Sequence, residues 1–192
     1  LKTKEKMKKT NLLTKNNSFC LLIDVQEKLF PAIHEKDLLL NNIDFLLKAL
    51  VALEIPLLAT EQYPKGLGKT LPSLKSLPFL KNLEKTEFSA WLNPIIKKEI
   101  IDLDKKQVVI IGIESHVCVL QTALHMIRHG FEVFIPTECV GSRTNENKQQ
   151  ALQRIQDAGG VITNSESCLF EAMESSTHPQ FKTISKFIKE KK

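Results

Sequence analysis

Short apolar runs alternate with longer stretches of helical periodicity from one end of the chain to the other. Residues 19–23 are a continuous apolar run, the pattern of a strand buried on both faces of a parallel sheet. Over 36–52, Leu38, Leu39, Ile43, Leu46, Leu47 and Leu50 fall on one broad face, which predicts an amphipathic helix. A second strand is expected at 56–60, then a turn-rich loop over 61–72, then a weaker strand preceding or including 84–86. A helix is predicted over 93–101. Residues 107–112 form the clearest strand in the sequence. The helix after it carries Val117, Leu120, Leu124 and Ile127 at helical spacing and stops at Gly130. A fifth strand is expected at 132–136 and a helix from about 145 to 158, closed by Gly159 and Gly160. A short sixth strand at 161–163 and a helix to about 173, capped by Ser165, complete the pattern.

Repeated strand–helix alternation implies an α/β domain of three layers, αβα, around a six-stranded, mostly parallel sheet. In such sheets chemistry gathers at the C-terminal ends of strands, beside a topological switch. Asp24, Lys85 and Cys118 hold such positions: after the first strand, near the third, and in the first turn after the fourth. Each has an ordinary reading as well, as a helix cap, a solvated lysine and a small core residue. Under the strand order 3-2-1-4-5-6 the first and fourth strands are neighbours. Asp24 and Cys118 then face each other, and a long lysine on the third strand bridges the roughly 9–10 Å that remains. Cys118 also sits near a helix start, where free N–H groups and the helix dipole favour a thiolate.

The architecture is Rossmann-like, yet dinucleotide binding is excluded, because only Gly112 follows the fourth strand and no glycine follows the first. Gly68-Lys69-Thr70 looks like the end of a phosphate-binding loop, but Tyr63 stands where its first glycine belongs.

The 192 residues suit one domain with a full core, and 42% apolar residues with only 7 Gly and 8 Pro exclude a disordered or linker-like chain. The formal charge of +5 misleads. Residues 1–17 hold Lys2, Lys4, Lys6, Lys8, Lys9 and Lys15 against Glu5, and residues 182–192 hold Lys182, Lys186, Lys189, Lys191 and Lys192 against Glu190. The body between them is mildly acidic. Residues 1–17 and 182–192 are therefore expected as basic tails around a domain at 18–181, with Met7 as the expected start. Basic ends without interleaved aromatics give no nucleic-acid site, and no apolar run nears the ~18 residues that cross a bilayer. No secretion signal follows the N-terminal lysines. The four cysteines, Cys20, Cys118, Cys139 and Cys168, form no CxxC pair and no zinc spacing, so a reducing, cytoplasmic location is expected.

The chain resembles the isochorismatase-like cysteine hydrolases, closest to the isochorismatase domain-containing branch, over about 18–175. The likeness rests on Leu22-Ile23-Asp24-Val25-Gln26, on Lys85-Thr86-Glu87-Phe88-Ser89-Ala90-Trp91, and on Gly112-Ile113-Glu114-Ser115-His116-Val117-Cys118-Val119. Thr122-Ala123, Glu138-Cys139-Val140-Gly141-Ser142-Arg143 and the loop from Thr60 to Gly68 add to it. The resemblance implies a catalytic triad of Asp24, Lys85 and Cys118, and a cis peptide between Ile113 and Glu114. It also implies an oxyanion hole from the Glu114 and Cys118 backbone amides.

The resemblance further implies a homo-oligomer acting on a small molecule. Metal-dependent relatives carry an Asp-x-His cluster after the second strand, whereas loop 60–72 has neither Asp nor His, so no metal and no cofactor are expected. Cys118 favours hydrolysis of an amide-like C–N bond over vinyl-ether cleavage, which needs no thiol. His116, two positions from Cys118, is read as a rim residue. Phe30, Tyr63 and Trp91 flank the catalytic segments as pocket candidates. Three rival readings remain: a non-catalytic oligomeric scaffold, an isochorismatase-type ether hydrolase, and a thiol-based redox sensor.

Overall fold

A computed structural model of the chain describes residues 12–190. The segment 1–11, with Met7 and most of the N-terminal lysines, and Lys191 and Lys192 lie outside the described residues. Along the chain come β1 (Ser18–Ile23), α1 (Lys36–Ala52), β2 (Leu57–Gln62), a one-turn α2 (Pro64–Leu67), β3 (Lys81–Lys85), α3 (Pro94–Asp102) and β4 (Gln107–Ile113). They are followed by α4 (Leu120–Arg128), β5 (Glu132–Pro136), β6 (Val140–Gly141), α5 (Asn145–Asp157), β7 (Val161–Thr163), α6 (Ser165–Met173) and α7 (Phe181–Glu190).

The strands pair in parallel in the order β3-β2-β1-β4-β5-β7, with β6 beside β4. This is the predicted order, with β7 as the last predicted strand and β6 as a seventh that the pattern does not announce. Its origin lies in the register. On β4, β5 reaches only Gln107, Val108 and Val109, so the far half of β4 would have an open edge. Val140 and Gly141 fill it opposite Gly112 and Ile113. A two-residue strand carries no periodicity of its own.

Side chains alternate across the sheet into two cores. Cys20, Leu22, Leu57, Ala59, Val109 and Ile111 pack on the face covered by α1, α6 and α7. Phe19, Leu21, Ile23, Leu58, Val108 and Ile110 pack on the face covered by α3, α4 and α5. Both faces are dry, which is why β1 and β4 read as unbroken apolar runs. Each fully buried Leu, Ile or Phe contributes on the order of 1.5–3 kcal/mol.

Within the two segments read from charge as tails, described residues pack against the domain. Phe181, Ile184, Phe187 and Ile188 turn inward on α7 against the first core, while Lys182, Lys186 and Lys189 face solvent. At the other end Leu13 is buried and its amide donates to Glu171 Oε2 at 2.8 Å. A count of charges hides an amphipathic face that has to be read by period. The α6 cap also differs from expectation. Asn164 Oδ1 accepts the Ser167 amide, and Ser165 instead donates its amide and hydroxyl to Glu138. Among the described residues no helix is long and apolar enough to cross a membrane.

Candidate active site

β1 and β4 run side by side with Ile23 opposite Gly112, so the chain segments leaving both strands emerge at one place. Asp24 leaves β1 in the left-handed region, φ 52°, which a short polar side chain tolerates better than most. Its amide stays on the ladder, donating to the Thr60 carbonyl at 3.2 Å, and its carboxylate is completely buried. Thr60 Oγ1 donates to Oδ1 at 2.7 Å. Lys85 Nζ donates to Oδ2 at 2.6 Å.

Lys85 is the last residue of β3, two strands from β1, and keeps only 2% of its surface. Its stem crosses the end of β2 to reach Asp24. A charge in that setting is tolerated only when paired and hydrogen-bonded. Lys85 is both: besides Asp24 it donates to Gln62 Oε1 at 2.6 Å and, more weakly, to the Phe88 carbonyl at 3.4 Å.

β4 ends in the cis Ile113–Glu114 peptide, and a π-type turn, Ser115–Val119, carries Cys118 into α4. The Glu114 carbonyl accepts the Val117 and Val119 amides, one on each side of Cys118. The thiol lies beside both charged groups, and Cys118 as a whole is buried, with 6% of its surface exposed. Burial pushes its pKa up, the Asp24 charge adds to this and Lys85 opposes it, leaving it at about 12. The pull of the helix start toward a thiolate is therefore outweighed. The cause is that a dry site next to a carboxylate disfavours a second negative charge.

The structure thus brings Asp24, Lys85 and Cys118 to one point. It separates the three aromatic pocket candidates. Tyr63 is 55% exposed, in a cleft shared with Lys65, Lys85 and Asn93. The Phe30 ring is buried in the first core. Trp91 packs in the second core against Phe131 and His129, with centroids 5.2 and 5.0 Å away. Phe131 immediately precedes β5, so this indole points to the end of the sheet remote from Asp24. Its pull is that of an apolar ring toward a dry cluster. His116 lies on the rim, its Nδ1 3.0 Å from Ser142 Oγ, and Arg143 Nε donates to Glu114 Oε2 at 3.0 Å.

Thr60, Gln62 and Gln26 escaped the sequence reading as site residues. Gln26 is fully buried; its Oε1 accepts the Gln62 amide at 2.7 Å, and its Nε2 donates to the Gln62 and Gly68 carbonyls. This side chain acts as a piece of neighbouring strand and extends β2 two residues beyond its predicted end. The available signal was polar residues at the tip of an apolar strand. Among the described residues no cluster of His, Cys, Asp and Glu has the makings of a metal site.

A parallel three-layer α/β domain with these groups at the β1/β4 switch has the isochorismatase-like hydrolase fold. The isochorismatase domain family matches residues 18–167, and the chain belongs to that family. Isochorismatase domain-containing protein 2A of Mus musculus is 35% identical over 175 residues, covering 91% of this chain and 84% of its own length. Among solved structures, the MAR1 ribonuclease of Caenorhabditis elegans superposes with a TM-score of 0.86 at 33% identity, covering 92% of each chain. The YcaC protein of Escherichia coli, described as an octameric hydrolase of unknown specificity, does so with a TM-score of 0.83 at 25% identity. It covers 93% of this chain and 97% of its own.

Proposed function

We propose that the chain is a metal-independent cysteine hydrolase that cleaves the C–N bond of a small amide-like molecule through a thioester. The observation that carries this reading is the buried Lys85–Asp24 pair, 2.6 Å apart, with the Cys118 thiol beside it. A thiol at about 12 is protonated at rest, so Asp24 takes the Sγ proton as sulfur attacks the carbonyl carbon. Lys85 keeps its positive charge against the sulfur while negative charge develops there. The oxyanion of the tetrahedral intermediate is held by the Glu114 and Cys118 amides, a type of contact in which one donor is worth about 2.7–4 kcal/mol. Asp24 then gives its proton to the leaving nitrogen, and the C–N bond breaks to leave the thioester. Asp24 next removes a proton from water, which attacks the thioester, and the proton returns to sulfur as the acid departs.

Loop 60–72 offers no Asp or His to a metal, and a thiol nucleophile is superfluous for vinyl-ether cleavage. The C. elegans neighbour is described as a ribonuclease. Here the mildly acidic body between basic ends gives little for a phosphate backbone to bind. The octamer described for the E. coli neighbour supports a homo-oligomer, and four free, buried cysteines support the cytoplasm.

An ammonia-release screen over small amides, with Cys118→Ala as the blank and a structured RNA as a separate substrate, tests the activity. A hit should show an acyl adduct on Cys118 by mass spectrometry. Turnover that survives in Cys118→Ala, or RNA cleavage without amide hydrolysis, would replace this reading. A labelled Cys118 without any turnover across the screen favours the scaffold.

A further inference from the structure

We propose that Gln62 is a positioning residue whose side-chain carbonyl aims the Lys85 ammonium at Asp24 and Cys118. This rests on the reading above, in which that ammonium acts on the sulfur. An ammonium has three N–H bonds and spins freely about its last carbon unless its acceptors fix it. Two short contacts fix Lys85, Asp24 Oδ2 and Gln62 Oε1, each at 2.6 Å. Tetrahedral geometry then sets the third N–H. The Phe88 carbonyl is 3.4 Å away, a weak competitor, so that donor remains available to the thiol beside it.

The Gln62 amide cannot serve in the reverse sense. Its Nε2 donates to the Thr86 carbonyl at 2.7 Å. A flip would set oxygen against that carbonyl and an NH2 group against the ammonium. The main chain is held equally firmly, because the Gln26 side chain bonds both the Gln62 amide and its carbonyl. Asp24 and Gln26 are two residues apart, so one tripeptide supplies the charged acceptor directly and the neutral one at second hand. Neutrality matters as well. A carboxylate at 62 would compete with Asp24 for one cation and raise the cost of a thiolate. The titratable groups that bear on Lys85 are Asp24, Cys118 and, from the loop after β3, Glu87.

The rate at which iodoacetamide alkylates Cys118, followed site by site by mass spectrometry from pH 7 to 10 in the full chain, tests this without a known substrate. At pH 9 the rate should fall about 10-fold in Gln62→Leu and in Gln62→Glu, the equivalent of one pKa unit on the thiol. Lys85→Ala should lose at least as much. A merely structural Gln62 would have the opposite sign, since loosening the site exposes the sulfur and speeds its alkylation. A wild-type or faster rate in the neutral Gln62→Leu, beside a slowed Lys85→Ala, overturns the proposal. A Lys85→Ala rate equal to wild type removes the ammonium from the chemistry, and both the hydrolase mechanism and the role of Gln62 fall together. Should Gln62→Leu fail to fold, Gln62→Met, which keeps the length of the side chain and adds no charge, decides in its place.

Discussion

Gly112 lies flat against Ile23: a Cβ at Gly112 would come within 2.2 Å of the Ile23 carbonyl oxygen and 2.8 Å of its nitrogen. The neighbour is backbone in a central strand, and it has no room to retreat. Gly112 also has φ +112°, a conformation that side chains rarely adopt. This contact is the hinge of the site, because Asp24 follows Ile23 and the turn to Cys118 follows Gly112 within two residues.

Gly112→Ala should therefore destabilise the fold by on the order of 3 kcal/mol or more, by combining backbone strain with overpacking. Urea denaturation measures it. The same variant should lose activity even where it stays folded, since prying β4 from β1 separates the thiol from the carboxylate. A stability within experimental error of wild type would mean that the two strands part freely.

Asp24→Asn keeps the Thr60 hydrogen bond and removes the charge, leaving a buried ammonium with no counter-ion. Turnover should vanish, and stability should drop by about 3–5 kcal/mol. The double variant Asp24→Asn/Lys85→Met removes the orphaned charge and should recover most of that stability with no recovery of activity. Thermal melts of the three proteins side by side separate the electrostatic cost from the catalytic one.

Cys118→Ala removes one sulfur from a site that is nearly closed. Its melting temperature should stay within a few degrees of wild type, since the truncation costs about 1 kcal/mol. Amide hydrolysis should fall to background. Of the four thiols, Cys118 should be the first that iodoacetamide labels in the native protein, because Cys139, like Cys20 and Cys168, has no exposed surface at all.

Alkaline pH should unfold the protein early. Burial pushes Cys118 and Cys168 up from an ordinary 9.0 to about 12, and Cys20 is raised as well. Between those limits the folded chain keeps protons that the unfolded chain releases. The stability due to each neutral thiol is therefore whole below pH 9 and is lost as pH climbs toward 12. The slope is roughly 1 kcal/mol per pH unit for each thiol. Urea midpoints at pH 8 and pH 10.5 should differ accordingly, and Cys118→Ala should flatten the slope by about one thiol's share. A midpoint that does not move would show the thiols to be wetter than their burial implies.

By itself, the sequence determined most of the strands and helices, β6 and α7 excepted, and picked out polar groups at the strand ends. Those follow from local rules: an apolar run of five is a strand in any parallel sheet, and a polar residue at its end needs a reason to be there. Asp24 was legible because it ends such a run, and Cys118 because it lies in the first turn after one; Lys85 closes a polar, mostly exposed strand, and its place beside them came from the family resemblance. Tertiary structure alone decided what touches what. Gln62 meets Lys85 only through the register of β2 on β3, and meets Gln26 only because the loop after β1 folds back across 36 residues. Trp91 went to the far core, β6 filled an edge that β5 left open, and α7 buried a face that its lysines concealed. Periodicity encodes which side of an element is apolar. Hydrogen-bond partners and dielectric surroundings arise only when distant elements close on one another, and so the resting proton of Cys118 could not be read from its neighbours in the chain.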